Sequence, residues 1–338
     1  MSATIQDVAK KARVSMTTVS RVLNGSLAVR PQTREWVLRV VKELGYSPNL
    51  LARSLKNRTS HTIGLVVDNI ANPFFAEMAK GIEDLAGSKG YSLFLCNTDQ
   101  SFSRGLNHLA VLQKRGVDGI IYASIGLDAE GVLPAKVRAL QKDGTATVLI
   151  GQQAPGLETN AILTDDEAGA YQAVTHLIGL GHRRIAYVGG PDTFINRLRQ
   201  KGFERACREQ GLAIDPGLMV TSNFRVEGGL TATKALLSTP ERPTAVFLAN
   251  DLMAIGAVQA AKEAGLRVPQ DLAVVGFDDI SLASYLDPPL TTVRMPKYEL
   301  GRQAVAKLLQ IMAGASPGGE VILATELVVR RSSGLPVN

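Results

Sequence analysis

A chain of 338 residues, 45% hydrophobic and 20% charged, is too long for one small core and ordinary in composition for a globular protein. No run of about 18 apolar residues occurs, which excludes a membrane-spanning helix. The first residues, from Met1 to Val8, lack the basic and apolar regions of a secretory leader, so a cytoplasmic protein with no membrane partner is expected. The two cysteines, Cys96 and Cys207, and the four histidines fall at no metal-ligand spacing; two reduced, buried thiols and neither metal nor other cofactor are expected. The net charge of +6 is unevenly placed. Residues 1–60 hold 11 lysines and arginines against three acids, so the remainder is slightly acidic. Positive charge confined to one end points to a polyanionic partner of that end alone.

Residues 1–47 read as three short helices. Thr4 followed by Asp7 forms a capping-box pattern, with Asp in the usual Glu position. Ile5, Val8, Ala9 and Ala12 then recur at helical spacing. Ser15 is placed to cap a second helix, in which Val19, Val22 and Leu23 turn inward and Met16, Thr17, Ser20 and Arg21 are left outside. A third helix starts at Pro31, buries Trp36, Val37, Val40, Val41 and Leu44, and stops at Gly45. Two short helices joined by a tight turn in a basic segment have the form of a helix-turn-helix that reads the DNA major groove. Arg21 can bond O6 and N7 of a guanine together, and Thr17 a base edge or a thymine methyl. Met16 can only pack. Ser15, Thr18 and Asn24 suit phosphates, which position without specifying.

Residues 48–60 form a hinge. Its run from Pro48 to Lys56 spans about two turns, below the roughly 12–15 residues an isolated helix needs, so folding only in a complex is expected. Leu50, Leu51 and Leu55 are too apolar for a plain spacer. Two readings of Leu55 stand on chemistry alone: packing on the body, or insertion into a minor-groove base step from a pair of hinge helices in a dimer.

Taken together, Thr4-Ile5-Gln6-Asp7-Val8-Ala9, the run from Val14 to Val22, Gly45-Tyr46-Ser47-Pro48 and Ala52-Arg53-Ser54-Leu55 resemble the lactose-repressor (LacI/GalR) family. The resemblance implies that Leu55 intercalates at the operator centre. Thr4, Ala52 and Lys56 complete the DNA-contacting set expected with Ser15, Met16, Thr17, Thr18, Arg21, Asn24 and Leu55.

Beyond residue 60, short apolar runs alternate with helical stretches. Residues 63–68, 91–97, 119–124 and 147–151 read as strands, with helices at 74–87, 103–115 and 133–142. The rhythm then repeats, with strands at 185–189, 219–223, 245–249 and 272–277 and helices starting at Asp166, Asn196, Glu227 and Asn250. This predicts an α/β body of two doubly wound parallel sheets, whose ligands sit beyond the carboxyl ends of strands. Asp68, Asp165, Asn250-Asp251 and Asp278-Asp279 stand at such ends, and Phe74, Phe75 and Phe224 near others. Singly, each Asp reads first as a helix cap. Together, acids, amides and rings suit a polyhydroxylated small-molecule effector.

The body resembles the same family, and through it the periplasmic sugar-binding fold. The segment Asn196-Arg197-Leu198-Arg199-Gln200-Lys201-Gly202-Phe203 implies that Arg199 binds effector, and Asn250-Asp251-Leu252-Met253-Ala254 and Gly276-Phe277-Asp278-Asp279 nominate Asn250 and Asp278. Phe224 matches the stacking aromatic, Asp165 a polar pocket position, and residues 289–293 a crossover between lobes. The implied body, residues 61–338, has a first lobe of about 61–163 and 293–322 and a second of about 164–292 and 323–338. The last helix, from about Lys297 to Met312, is assigned to the first lobe and a final strand at 325–330 to the second. Met16-Thr17 and Met295-Pro296-Lys297 depart from the family's namesake, so its operator and inducer are not carried over to this chain.

A homodimeric transcription repressor, binding double-stranded operator DNA under effector control, is the expected function. A transport solute-binding protein would explain the body but not the basic head. An enzyme is not expected: residues 68–73 follow the first strand where a Gly-rich dinucleotide loop would stand, and no nucleophile–histidine arrangement is evident.

Overall fold

The computed structural model describes residues 3–23, 25–26, 28–46, 59–124, 131–153, 160–315 and 318–334. Asn24 and most of the expected hinge, including Ala52, Leu55 and Lys56, lie outside the described residues. The chain divides into two compact units, Met1–Ser60 and His61–Asn338.

The first unit holds α1 (Ile5–Ala12), α2 (Met16–Leu23) and α3 (Pro31–Glu43). Thr4 and Asp7 close the capping box on α1, the Thr4 N–H donating to Asp7 Oδ2 at 2.9 Å. Arg13 ends α1 in the left-handed conformation, at φ 53°, and turns the chain into α2. The Thr18 N–H donates to Ser15 Oγ at 3.1 Å, satisfying one of the donors left open at the start of α2. The core is Val8, Ala9, Ala12, Val19, Val22, Val37 and Val40. Trp36 departs from expectation: it is 42% exposed rather than buried. Its indole N–H donates to the Ala12 carbonyl at 3.1 Å, and the small valine and alanine core leaves the ring lying across the surface.

The second unit opens with β1 (Thr62–Val67), α4 (Pro73–Ser88), β2 (Ser92–Asn97), α5 (Phe102–Lys114), β3 (Gly119–Ala123), α6 (Val132–Lys142), β4 (Ala146–Ile150) and β5 (Ala161–Thr164). It continues with α7 (Asp166–Gly179), β6 (Ile185–Gly189), α8 (Phe194–Glu209), β7 (Met219–Thr221), α9 (Val226–Leu237), β8 (Ala245–Leu248), α10 (Asp251–Glu263) and β9 (Ala273–Asp278). It ends with β10 (Thr291–Arg294), α11 (Lys297–Met312), β11 (Glu320–Leu323) and β12 (Glu326–Val328). The strands form two sheets, β11-β5-β4-β3-β1-β2 and β12-β10-β9-β8-β6-β7, one per lobe. All pairs are parallel except β10–β12, which is antiparallel and departs from the all-parallel reading.

The central strands are apolar throughout because helices cover both faces, as in β3 and β4, where every residue is buried. β5, β10 and β11, of four residues each, were not legible as strands. The chain passes from the first lobe to the second after β5, returns after β10, and passes over again between β11 and β12.

Helices α4 and α11 cross on the first-lobe core at two glycines. A Cβ on Gly81 would lie 2.1 Å from the Tyr298 carbonyl oxygen, and one on Gly301 would lie 2.2 Å from that of Met78. Because the obstacle is backbone, Gly81→Ala forces the helices apart. We expect a loss at the upper end of the roughly 1–3 kcal/mol typical of overpacking, read from the urea midpoint of unfolding. An unchanged midpoint would mean that the crossing yields without cost.

Candidate functional site

In the head, α2 presents the side expected to meet DNA. Met16 is 50% exposed, Thr17 and Arg21 are exposed, and Arg21 makes no ion pair with a described residue. Thr18 is half-buried, its hydroxyl 2.9 Å from that of Ser15. The Thr4 hydroxyl donates to Asp7 at 2.7 Å and is committed to its cap. Lys11 is neutralised by Glu43 at 3.1 Å.

In the body, the carboxyl ends of the two sheets face a cavity. Seven of the eight expected effector residues line it: Asp68, Phe74, Phe75, Arg199, Phe224, Asn250 and Asp278. The eighth, Asp165, does not. It is exposed and caps α7, accepting from the Ala168 N–H at 3.0 Å. The adjacent Asp166 turns inward instead and pairs with Arg199. A pair of adjacent acids at a helix start does not reveal by sequence which one caps. At α10 the cap is Asn250, and both Asn250 and Asp251 are buried.

Each wall residue is held by a local device. Asp68 ends β1, and its Oδ1 accepts from the Thr98 hydroxyl at 2.9 Å and from Ser124. Phe74 and Phe75 open α4 edge to face, 5.0 Å between centroids, behind the Asn72 cap and Pro73. Phe224 has φ 60°, rare for a bulky residue, and its carbonyl accepts from the Asn250 amide at 3.0 Å. Its ring lies on Gly190, where a Cβ would stand 2.1 Å away; only glycine admits it.

Arg199 is 3% exposed. Its Nε donates to Asp166 at 2.7 Å, one Nη to the Ala249 carbonyl, and the other to Met295 sulfur at 3.5 Å. Asp278 lies 3.8 Å from that second Nη, and the guanidinium stands over the Phe277 ring at 3.9 Å. The charge is thus compensated before any ligand arrives. Burial drives the Asp278 carboxyl up to about 7, against the opposing pull of Arg199 and Lys297. Burial and nearby Asp278 also raise Asp251, whose carboxyl accepts from Thr292 at 2.5 Å and from the Ile280 N–H at 2.8 Å.

The raised carboxyl has a consequence for stability. A group whose pKa is higher folded than unfolded takes up a proton on folding. Its contribution therefore falls as pH rises from 3.8 towards about 7 and is flat above. The stability of the native chain relative to Asp278→Asn is expected to shrink over that window, measured by paired urea titrations. A difference that grows with pH would show that Arg199 holds the carboxyl ionised.

Sequence reasoning missed Asn69, Asn72, Gln100, Thr164, Ile195 and Leu252, which also line the cavity. Asn72 was legible as a cap before Pro73; Gln100, in a loop at φ 62°, carried no signal. Cys207 is buried, and its thiol is raised by burial to about 11, whereas Cys96 is only half-buried, not buried as expected. Among the described residues no cluster of His, Cys, Asp and Glu could hold a metal ion, and no helix is long and apolar enough to cross a membrane.

A basic three-helix head with an exposed second helix, and a two-lobed α/β body closing on a polar and aromatic cavity, define a ligand-responsive DNA-binding regulator. Residues 4–49 match the model for bacterial regulatory proteins of the lacI family, and residues 174–333 that for a periplasmic binding protein-like domain. The chain is 39% identical over 340 residues to the HTH-type transcriptional repressor PurR of Haemophilus influenzae (strain PittEE), covering 98% of both chains. It is also 39% identical over 333 residues to the ribose operon repressor of Escherichia coli (strain K12), covering 98% of this chain and 99% of that one. The crystal structure of the lac repressor dimer bound to operator and the anti-inducer ONPF matches at 30% identity and a TM-score of 0.88, over 99% of this chain and 100% of that one. A transcriptional regulator CelR–cellobiose complex matches at 34% and 0.74, over 98% of this chain and 99% of that one. The chain belongs to the lacI family of bacterial regulatory proteins.

Proposed function

We propose that this protein is a homodimeric, cytoplasmic transcription repressor that binds a pseudo-palindromic operator and responds to a neutral, polyhydroxylated small molecule, a sugar or sugar derivative, in the cleft. It binds its effector without turning it over. The observation that carries the effector class is the compensated Arg199. With Asp166 at 2.7 Å and Asp278 at 3.8 Å from its guanidinium, no spare cation for a phosphate or carboxylate stands among the described residues lining the cavity. What it offers is carboxyl and amide groups for hydroxyls, and phenyl faces for the apolar side of a sugar ring.

Residues 1–47 act as the DNA-binding head, 48–60 as the hinge and 61–338 as the effector-binding and dimerising body, in keeping with the compact units Met1–Ser60 and His61–Asn338. Arg21 and Thr17 read bases, Met16 packs in the groove, and Ser15, Thr18 and Asn24 hold phosphates. Thr4, Ala52, Leu55 and Lys56 complete the DNA contacts, with Leu55 wedging the operator centre. The effector contacts Asp68, Phe74, Phe75, Arg199, Phe224, Asn250 and Asp278.

The test is operator selection from random duplexes together with a thermal-shift screen of neutral, phosphorylated and carboxylated sugars. A neutral sugar that raises the melting temperature and weakens operator binding makes it an inducer; one that tightens binding makes it a corepressor. Stabilisation only by phosphorylated or carboxylated compounds overturns the effector class, and failure to enrich a palindrome overturns the dimeric head.

A further inference from the structure

The cleft has two unlike edges. The crossovers join the β5/β11 edge of one sheet to the β10/β12 edge of the other, whereas β2 and β7 lie at the opposite ends. At that far side the lobes meet through surface contacts. Arg225 pairs with Asp99 at 2.6 Å, with the two side chains 39% and 43% exposed, and Gln100 donates to the Asn223 carbonyl at 3.1 Å. Exposed pairs of this kind hold weakly.

The crossover side is built differently. Lys297 begins α11, which packs in the first lobe against α4, and it is 3% exposed. Its ammonium donates to the carbonyls of Asp278 and Asp279, at 2.9 and 2.8 Å, at the end of the second-lobe strand β9. Glu77 of α4 faces the same ammonium at 3.5 Å from the first-lobe side, and the Met295 carbonyl stands at 3.5 Å. The two residues it grips have φ of 116° and 51°, conformations that residues with side chains seldom adopt and that persist only where their surroundings over-determine them. One of them, Asp278, lines the effector cavity, its carboxyl 3.8 Å from Arg199.

We propose that Lys297 is a positioning residue: a first-lobe cation that sets the backbone aiming Asp278 at the effector and thereby couples occupancy of the cleft to the angle between the lobes. The effector half of this inference rests on the function proposed above. The cleft then opens along the Asp99–Arg225 edge while the Lys297 edge holds. A ligand that shifts Asp278 moves the start of α11 with it, and since α11 runs through the first-lobe core, the whole lobe follows.

The test uses the full chain, with spin labels at Lys89→Cys and Arg208→Cys on a Cys96→Ser/Cys207→Ala background, diluted into unlabelled chain so that each dimer carries one labelled protomer. Without ligand, Lys297→Met is expected to broaden the lobe-to-lobe distance distribution, and Lys297→Arg, which keeps the charge and donors, to retain the native width. D-Ribose is the probe for the ligand half. In the native chain it shifts the distance and alters operator affinity by a factor in the range of about 5 to 150 seen for typical couplings. In Lys297→Met that factor collapses towards 1 while ribose still stabilises the protein.

A native width in Lys297→Met, or equal broadening in Lys297→Arg, overturns the positioning role. If Lys297→Met does not fold, Glu77→Gln decides: its removal of the facing carboxylate broadens the distribution, and an unchanged width overturns the proposal. If D-ribose leaves the native chain unaffected, the pentose form of the effector reading fails, while the ligand-free distributions still judge Lys297.

Discussion

Arg199→Met is expected to abolish effector binding and to destabilise the body by about 3–5 kcal/mol, the usual cost of removing one partner of a buried ion pair. The cost has a specific origin. Asp166 is 1% exposed and depends on the guanidinium for compensation, while Asp278, 5% exposed, loses the nearer pull of Arg199 and keeps that of Lys297. Asp166 keeps its bond from the Thr164 hydroxyl, at 2.6 Å, but loses its cation. The Ala249 carbonyl at the end of β8 loses a donor. Pairing the change with Asp166→Asn should recover a large part of the stability, because a neutral amide no longer needs a cation, yet should not restore binding. Urea unfolding and calorimetric titration of a sugar found by thermal shift separate the two effects. A single variant as stable as the native chain would mean that Arg199 is not the centre of the buried network.

Arg21→Ala is expected to reduce discrimination between the selected operator and a base-substituted one by about 1–3 kcal/mol, roughly 5- to 150-fold in relative affinity. The folded head should be unaffected, because Arg21 lies outside the core of Val8, Val19, Val22, Val37 and Val40 and pairs with no described acid. Trp36 is the one tryptophan of the chain, so its fluorescence reports head folding directly. Lys10→Ala serves as the contrast: an exposed cation away from α2 should weaken all duplexes alike and lower the salt dependence. Equal weakening of operator and scrambled DNA by Arg21→Ala would assign the residue to the phosphates and leave base reading to Thr17 and Met16.

The head was legible because its signals are local. Thr4 and Asp7 close a cap three residues apart, Ser15 reaches Thr18, and Pro31 starts a helix; each of these bonds lies within one turn. Trp36 was misplaced because a large apolar residue at core spacing looks buried, and whether a core of valines and alanines has room for it depends on three helices at once.

In the body, alternation of strands and helices was carried by runs such as residues 63–67 and 273–277, buried on both faces. The chain's own sequence therefore determined the alternation of strands and helices, the lobes' α/β character and most of the strand ends at which polar residues gather, since these follow from periodicity and caps over a few residues. Only the tertiary structure decided which of two adjacent acids turns inward, as at Asp165 and Asp166, and that β10 and β11 add to sheets begun far earlier in the chain. The same holds for the grip of Lys297 on Asp278 and Asp279, and for Gln100 reaching the cavity. These outcomes depend on which distant segments meet, Gln100 and Asn223 being 123 positions apart in sequence and Asp166 and Arg199 33. The Gln100–Asn223 contact exists only once both lobes face one cleft, and the Asp166–Arg199 pair only once α7 and α8 pack on each other in the second lobe.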